Sequence, residues 1–448
     1  MYLREITIEH VKLIRRLELS CVLADGAPRM WTMLIGENGT GKTSILQAIA
    51  MAAAGSLQVN SLADAVVGNL RDRRTEDTMK VQAVFAMPPP PPGASRMSPG
   101  LIRSDGEIRI ESVVTLAPNE STIRSQSKYI AGGTPAKNGE NPIDTARAQN
   151  LPLWFVAGYG VARVLPDASL RPSLTKPSIE RMAPLFDSRT ALTSTAFANY
   201  FDEDPDKVRM YSRVLKRALF NVEGLLPGVV DLELKGYGGV RRAGHLQDSK
   251  RFTQRIGPHE LRVPAVALSH GYQSTIAWIA DLVGHVVLEA NNEIEPQDMQ
   301  GLVLIDEIDL YLHPTWQVVL VNALRQTFPR MQFIATTHSP LVLAGMRPDS
   351  DRIVRLQISP QSGDIEEYPV DADPRLLTGT EIFREYFGID DIHPDEAGRV
   401  LREYRYLAAN PFRSDVEDRS LRKMEAKLRA LGISPHFTPV PREKHQKR

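Results

Sequence analysis

One eight-residue segment near the start of the chain constrains the fold more than any other feature. Residues 36–43, GENGTGKT, fit the pattern G-x-x-x-x-G-K-[ST] completely, and we call them the phosphate loop. The apolar segment WTMLI precedes this loop, and the Ala-rich segment SILQAIAMAAA follows it. Glycines let consecutive backbone N–H groups converge on phosphate oxygens without Cβ clashes, and the start of a helix adds a favourable dipole. The segment therefore predicts a strand, a nucleotide phosphate site and a helix, in that order.

The side chains of this loop have separate predicted roles. Lys42 can neutralise the β and γ oxygens of a bound nucleotide, and the Thr43 hydroxyl can bind Mg²⁺. The predicted nucleotide-binding residues of this part of the chain are Gly36, Glu37, Asn38, Gly39, Thr40, Gly41, Lys42, Thr43 and Ser44.

A second segment, LVLIDE at residues 302–307, reads as a buried strand that ends in two acids. Such a strand end beside a phosphate loop is where an aspartate completes the shell of a metal, so Asp306 is predicted to bind Mg²⁺. Glu307 is then placed to accept a proton from the water that attacks the γ-phosphate. Without the phosphate loop, an acidic turn after a strand would explain the pair equally well.

Two further segments narrow the class of protein. Residues 268–273, LSHGYQ, which we call the signature segment, open a predicted helix with Ser269 and Gly271. A serine and a glycine at a helix start suit an anion, and the phosphate loop already serves in cis, so we expect them to bind the γ-phosphate held by a second subunit. Residues 336–340, TTHSP, follow another strand, and His338 can hydrogen-bond the γ-phosphate or the attacking water.

Strands that alternate with helices predict an α/β fold with a largely parallel sheet covered on both faces. Residues 3–23 read as a two-stranded hairpin, residues 117–148 as a polar loop, and residues 205–222 as an amphipathic helix. The predicted domains are a head at 1–370, with an inserted helical and β lobe at about 165–260, and a helical C-terminal region at 371–448.

Four segments in a fixed order resemble the head of ABC-type ATPases. They are the phosphate loop, the signature segment, the strand that ends in two acids, and the strand followed by TTHSP. The phrases LSHGYQSTIAWIADL, LVLIDEIDLYLHP and FIATTHSPLVLAG are similar to the RecF and OLD-like branch, and within it to ATPases of the Septu and retron antiphage systems. This resemblance implies that two heads enclose two ATP molecules with Mg²⁺. It implies that Lys42, Thr43, Asp306, Glu307 and His338 act in cis, that Ser269 and Gly271 act in trans, and that Asp309 and His313 lie in the loop that crosses between subunits.

The chain departs from the family pattern in two places. His270 stands where glycine or aspartate is more usual, and a Q-loop glutamine is not evident. Tyr159, Gly160 and Arg163 follow the strand after which that glutamine is expected. How the metal site communicates with the inserted lobe is therefore open.

The composition excludes several classes of protein. Lys+Arg and Asp+Glu both number 54, so a polyanion binder that works by bulk charge is excluded, although local basic clusters remain. The basic residues of 205–222 and of 241–255 fit either a solvated surface or contacts with nucleic-acid phosphates. The single cysteine, Cys21, excludes a disulfide framework, and we expect it to be buried. No secretory signal or membrane span is evident, so we expect a cytoplasmic protein that does not contact membranes.

In the C-terminal region the sequence pattern predicts a helix. The helix begins with a capping box formed by Ser414 and Glu417 and ends at Gly432. Its apolar residues Leu421, Met424, Leu428 and Leu431 could pack on the head or bind a partner. The combined pattern predicts an Mg²⁺-dependent ATPase that dimerises around ATP. The resemblance implies that it regulates a separately encoded effector in antiphage defence, and a nuclease is the effector we expect. The alternatives are a RecF-like DNA-repair ATPase that binds DNA itself, a transporter ATPase subunit, and a nucleotide sensor without activity.

Overall fold

The structure is a computed structural model that divides into two compact units, Met1–Gly379 and Thr380–Arg448. It describes residues 1–89, 107–132, 140–148, 154–167, 174–201, 203–220, 226, 228–233, 251–291, 294–370, 372–389, 396–433 and 439–441. None of the helices in these ranges combines the length and the apolar character needed to span a bilayer.

The strands of the first unit fall into three sheets. They are β1 (Tyr2–Val11), β2 (Ile14–Ser20), β3 (Trp31–Gly36), β4 (Met79–Met87), β5 (Ile108–Leu116), β6 (Arg124–Ala131), β7 (Val156–Tyr159), β8 (Val229–Leu232), β9 (Phe252–Ile256), β10 (His259–Val263), β11 (Gly301–Ile305), β12 (Met331–Thr336), β13 (Arg352–Ile358) and β14 (Ile365–Tyr368).

The helices vary from single turns to six turns. They are α1 (Lys42–Ala54), α2 (Val59–Ala63), α3 (Pro142–Ala148), α4 (Pro177–Glu180), α5 (Phe197–Tyr200), α6 (Pro205–Phe220), α7 (His270–Ala290), α8 (Pro314–Thr327), α9 (Pro340–Leu343), α10 (Gly379–Phe387), α11 (Glu396–Ala409) and α12 (Asp415–Ala430).

The sheet that carries the predicted site has the order β14-β13-β3-β12-β11-β7, and its strands are parallel except for the pair β13–β14. A second sheet, β2-β1-β4-β5-β6, is antiparallel throughout. After its first three residues, helix α1 is apolar except for Gln47, and it is buried between the two sheets. The predicted α/β fold, with a largely parallel sheet and a helical C-terminal region, is confirmed.

Several predicted elements are confirmed and others are wrong. The hairpin β1–β2, the strands β3 and β11 and the helices α1 and α7 lie where the sequence predicts them. The predicted loop at 117–148 is wrong, because it holds β6 and α3. The edge strand β6 is mostly polar and pairs with β5 through its backbone, so its composition does not reveal it. The proline run Pro88–Pro92 predicts a stiff loop or linker, and its residues from 90 onwards lie outside the described residues.

The described part of the predicted inserted lobe contains α4, α5, α6 and a three-stranded antiparallel sheet of β8, β9 and β10. The apolar face of α6 is buried at Tyr211, Leu215 and Leu219, as expected for an amphipathic helix. Residues 221 and 222 of the predicted helix lie outside the described residues. The division of the chain at residue 370 and the limits of the lobe stay predictions.

In the second unit, α11 and α12 pack against each other around a small core of Tyr404, Ala408, Leu421 and Leu428. The capping box predicted for α12 is present, since the Ser414 hydroxyl accepts from the backbone of Glu417 and the Glu417 side chain accepts from the backbone of Ser414. Of the predicted apolar stripe, Leu421 and Leu428 belong to this core and Met424 packs against it. Leu431, at the end of the stripe, is 53% exposed.

Candidate nucleotide-binding site

The order of the parallel sheet brings three strand ends together. Strand β12 lies between β3 and β11, and all three run in the same direction. The phosphate loop follows β3, the segment TTHSP follows β12, and Asp306 and Glu307 follow β11. Because the carboxyl ends of parallel strands share one edge of the sheet, residues far apart in sequence form one site.

The phosphate loop has the geometry that its glycines predict. Gly36, Gly39 and Gly41 all have positive φ angles. A Cβ atom on Gly36 would lie 2.4 Å from the carbonyl oxygen of Leu356, so this position accepts only glycine without movement of the backbone. The tip formed by Glu37, Asn38 and Gly39 is exposed, whereas Thr40 and Ser44 are buried.

Lys42 is the first residue of α1, and its amine lies against the loop. Its Nζ donates to the carbonyl oxygens of Gly36 and Glu37, both at 2.8 Å. Burial lowers the pKa of Lys42, and the nearby carboxylates of Asp306, Glu307 and Asp309 act in the opposite direction. The amine is thus placed between the loop and the acids that follow β11.

The predicted metal ligands are in direct contact. The Thr43 hydroxyl donates to Oδ2 of Asp306 at 2.7 Å, and the Thr336 hydroxyl donates to Oδ1 of the same carboxylate at 2.7 Å. A hydroxyl and a carboxylate are hard oxygen ligands of the kind Mg²⁺ prefers, and Mg²⁺ takes only one or two protein ligands when phosphates and waters supply the others. The donor set therefore fits Mg²⁺ bound together with a nucleotide. Among the described residues, no group of three or more His, Cys, Asp or Glu side chains is arranged to hold a metal.

Glu307 follows Asp306 with an unusual backbone conformation. Its φ angle is +48°, in the left-handed region that residues other than glycine rarely adopt. Its N–H donates to the Thr336 hydroxyl at 2.6 Å, and its carbonyl accepts from Nη2 of Arg163 at 3.2 Å. The side chain is half-buried. The backbone of the predicted general base is therefore held from both sides.

The loop after Glu307 is tied to the end of β12. The Thr337 hydroxyl donates to Oδ1 of Asp309, and the N–H of His338 donates to the same oxygen at 3.4 Å. His338 is half-buried beside this pair. Asp309, predicted to lie in the loop that crosses between subunits, thus positions the segment that carries His338 within one chain.

Ser269 and Gly271 are not part of this cluster. Ser269 is the exposed N-cap of α7, and in the described part of the chain neither residue hydrogen-bonds a side chain of the phosphate loop. A Cβ atom on Gly271 would lie 2.5 Å from the carbonyl oxygen of Tyr311. The glycine therefore allows α7 to begin against the loop that joins β11 to α8, where His313 is the N-cap of α8. His270 is exposed beside Ser269.

Sequence reasoning missed the roles of three residues. Thr336 bridges Asp306 and Glu307, and its place at the end of the strand next to β11 was a usable signal. Arg163 donates to the carbonyl of Asp306 as well as to that of Glu307. Lys12, in the turn between β1 and β2, is near enough to Asp306 for that carboxylate to counteract the lowering of its pKa by burial. Arg163 stands after the strand where a Q-loop glutamine is expected, but that position does not reveal its contacts with backbone carbonyls. Nothing in the sequence connects Lys12 with this strand end.

The basic face of α6 does not present free cations. Arg217, for example, donates to Gln297 and to the carbonyl of Gln326. The other three cations of this face of α6 form ion pairs: Arg209 with Asp206, Arg213 with Glu295, and Lys216 with Asp231. These contacts favour the first of the two interpretations, a solvated surface. In the second basic segment, residues 241–250 lie outside the described residues.

The chain is similar to several known proteins. A family model described as "AAA domain, putative AbiEii toxin, Type IV TA system" matches residues 162–344. The Septu protein PtuA of Bacillus mycoides is 26% identical over 433 residues, which are 95% of this chain and 50% of that protein. The "Retron Ec83 probable ATPase" of Escherichia coli is 30% identical over 239 residues, which are 52% of this chain and 39% of that protein. This chain is similar to Septu protein PtuA and to a probable retron ATPase. The resemblance inferred from the motifs is confirmed.

The sequence matches cover half or less of the relatives, whereas the solved structures are covered almost completely. The chain spans about half the length, or less, of the two curated relatives. A solved SMC head bound to the C-winged-helix domain of ScpA is 15% identical with a TM-score of 0.45, and the match covers 83% of this chain and 98% of that one. The SMC head domain from Thermotoga maritima is also 15% identical, with a TM-score of 0.40 and coverage of 83% and 100%.

Proposed function

We propose that the protein is an Mg²⁺-dependent ATPase whose heads dimerise around ATP. The observation that carries this proposal is the joining of Thr43, Asp306, Thr336 and Glu307 in one hydrogen-bonded cluster beside the amine of Lys42. These groups come from three strand ends that are far apart in sequence. A phosphate loop with a strand-end carboxylate and an adjacent glutamate has what hydrolysis of a nucleoside triphosphate requires.

In this proposal each side chain has one task. The backbone N–H groups of residues 36–43 and the amine of Lys42 bind the phosphates. Thr43 and Asp306 would hold Mg²⁺, which, when bound, neutralises charge on the phosphate oxygens. Glu307 accepts a proton from the water that attacks the γ-phosphate. His338 hydrogen-bonds the γ-phosphate or that water.

The dimer is the part of the proposal that requires a second chain. Ser269 is exposed at the start of α7 and makes no capping hydrogen bond to its own described helix. It is therefore available to bind the γ-phosphate held by another subunit, together with the backbone at Gly271.

We further propose that ATP binding and hydrolysis regulate a separately encoded effector in antiphage defence, and that this effector is a nuclease. The support is the similarity to proteins named as Septu PtuA and as retron ATPases. Co-purification with the product of the neighbouring gene, followed by a nuclease assay with and without ATP, tests this. If the neighbour does not co-purify, or if its nuclease activity is independent of nucleotide, the effector proposal is contradicted.

The ATPase proposal is tested with Glu307→Gln. This variant should bind ATP·Mg²⁺ like the wild type and hydrolyse it at least about 10²-fold more slowly, because the general base is lost. The trapped ATP should hold a dimer that light scattering detects. Adding Ser269→Arg should prevent the dimer and leave ATP binding by the monomer intact. A Glu307→Gln protein that is monomeric both with and without ATP would contradict the dimer, and one that hydrolyses ATP at the wild-type rate would contradict the role of Glu307.

A further inference from the structure

We propose that Arg163 is a positioning residue for hydrolysis, which fixes the backbone of Glu307 and links it to helix α7. This inference rests on the proposed ATPase function and adds a residue to its site. Arg163 follows β7, the strand that pairs with β11, so its side chain reaches the end of β11 from the neighbouring strand.

The contacts of Arg163 are directed at backbone oxygens. Its Nη2 donates to the carbonyls of Asp306 and Glu307, and its Nε donates to the carbonyl of Gly160 at 3.0 Å. The side chain is only 3% exposed. Burial lowers the pKa of Arg163 to about 10, although the carboxylates of the site act in the opposite direction. The guanidinium is still charged at neutral pH. Charged hydrogen bonds in a buried setting are the stronger kind, which suits a fixed strand end.

Glu307 is the residue that most needs such support. With a φ angle of +48° its backbone is in a conformation that costs on the order of 1 kcal/mol for a residue with a side chain. Thr336 binds its N–H, and Arg163 binds its carbonyl. Without Arg163 the peptide after Glu307 can rotate toward an ordinary φ angle, and this rotation moves the carboxylate away from the attacking water.

The other face of Arg163 contacts the helix that carries the signature segment. Its guanidinium lies over the ring of Trp278, 5.9 Å from the ring centre, and Trp278 belongs to α7, which begins directly after Ser269. The ring of Tyr159, at the end of β7, also contacts Trp278. A shift of α7 when Ser269 binds a phosphate would therefore act on Arg163 and through it on Glu307.

The test compares Arg163→Met and Arg163→Lys with a matched control. We expect Arg163→Met to lower kcat about 10- to 100-fold, the scale of a small misplacement of a reacting group, with the Kd for ATP·Mg²⁺ unchanged within about threefold. Arg163→Lys should lose less, because a single ammonium keeps the charge but cannot bind the carbonyls of Gly160 and Glu307 together. The control is Arg181→Lys, an arginine that is 1% exposed, donates to the carbonyl of Val156 and forms an ion pair with Glu289 outside the site. It should lower the unfolding temperature without changing kcat.

A double-mutant cycle separates positioning from general stability. In the Glu307→Gln background, Arg163→Met should cause no further loss of hydrolysis, because its effect acts through the missing carboxylate. An additional loss of the same size as in the wild type would overturn the inference, as would an unchanged kcat for Arg163→Met. If Arg163→Met does not fold, Arg163→Lys enters the same cycle with the same two outcomes. A wild-type protein without ATP hydrolysis would instead contradict the proposed function itself.

Discussion

Replacing one buried carboxyl group in α7 should stabilise the protein at neutral pH. Asp281 is 1% exposed, and its carboxylate accepts from the Tyr159 hydroxyl at 3.0 Å and from the N–H of Ser194 at 2.8 Å. Burial raises its pKa from 3.8 to about 6 despite these hydrogen bonds. His285 lies 3.6 Å away, but burial lowers its pKa well below the usual value, so it is neutral and does not form an ion pair with Asp281.

The sign and size of the effect follow from this shift. Between pH 3.8 and about 6 the folded state binds more protons than the unfolded state, so stability falls as the pH rises through that window. Above the window the folded protein bears the full cost, about 3 kcal/mol for a shift of about two units at 1.36 kcal/mol each. Asp281→Asn has no such titration, because its amide is neutral at every pH and its oxygen can still accept from Ser194.

The measurement is the difference in unfolding free energy between Asp281→Asn and wild type, from denaturant titrations at several pH values. We expect the variant to be more stable by about 1–2 kcal/mol at pH 5 and by about 3 kcal/mol at pH 7.5, as linkage requires for these two pKa values. Asp187→Asn serves as control, because Asp187 is held by Arg189 and its pKa is lowered, so this change should give no gain at neutral pH. A difference for Asp281→Asn that is constant with pH, or negative at pH 7.5, would refute the reasoning.

Three further predictions concern the site and the second unit. Lys42→Ala should abolish tight binding of ATP·Mg²⁺, because the phosphates lose the cation of the loop, and wild-type affinity in calorimetry would contradict this. Thr336→Val should keep ATP affinity but reduce steady-state turnover about 10-fold, because it leaves Asp306 and the N–H of Glu307 without the shared hydroxyl; unchanged turnover would contradict the bridge. Leu428→Ala should destabilise the α11–α12 pair by about 2–4 kcal/mol through a core cavity, seen as faster amide exchange in 396–430 with unchanged ATP turnover.

The sequence predicted those parts of the site that depend on local patterns. Strand, glycine loop and helix are adjacent in the chain, and an apolar strand that ends in two acids is visible without knowing its neighbours. The metal pair Thr43–Asp306 could be expected from the motifs, although the two residues are 263 positions apart. What could not be expected is the support around Glu307, because Arg163 acts on backbone carbonyls, which every sequence contains.

The wrong loop prediction at 117–148 and the open choice between two interpretations of the basic face of α6 have the same physical cause. Strand β6 is polar and takes its structure from pairing with β5, and helix α3 is anchored by Asp144, which accepts from the backbone of Ser56 and Leu57. The basic face of α6 read as a possible nucleic-acid surface because the partners of its cations, such as Glu295, lie far away in sequence. In each case the decisive contact is long-range, and composition or periodicity does not report it.

The strand order has a consequence for how the protein is made on the ribosome. Strand β3, which leads into the phosphate loop, has only β12 and β13 as neighbours in the sheet, and these begin at Met331 and Arg352. The Gln332 side chain also hydrogen-bonds the backbone of β1: its oxygen accepts from the N–H of Leu3, and its amide donates to the carbonyl of Leu3. At about 5–20 residues per second, the loop therefore waits roughly 15–60 s after its own synthesis before its strand can be paired. Nucleotide cannot stabilise the nascent chain during that interval, so the apolar β3 and α1 depend on chaperones or on the early antiparallel strands for protection.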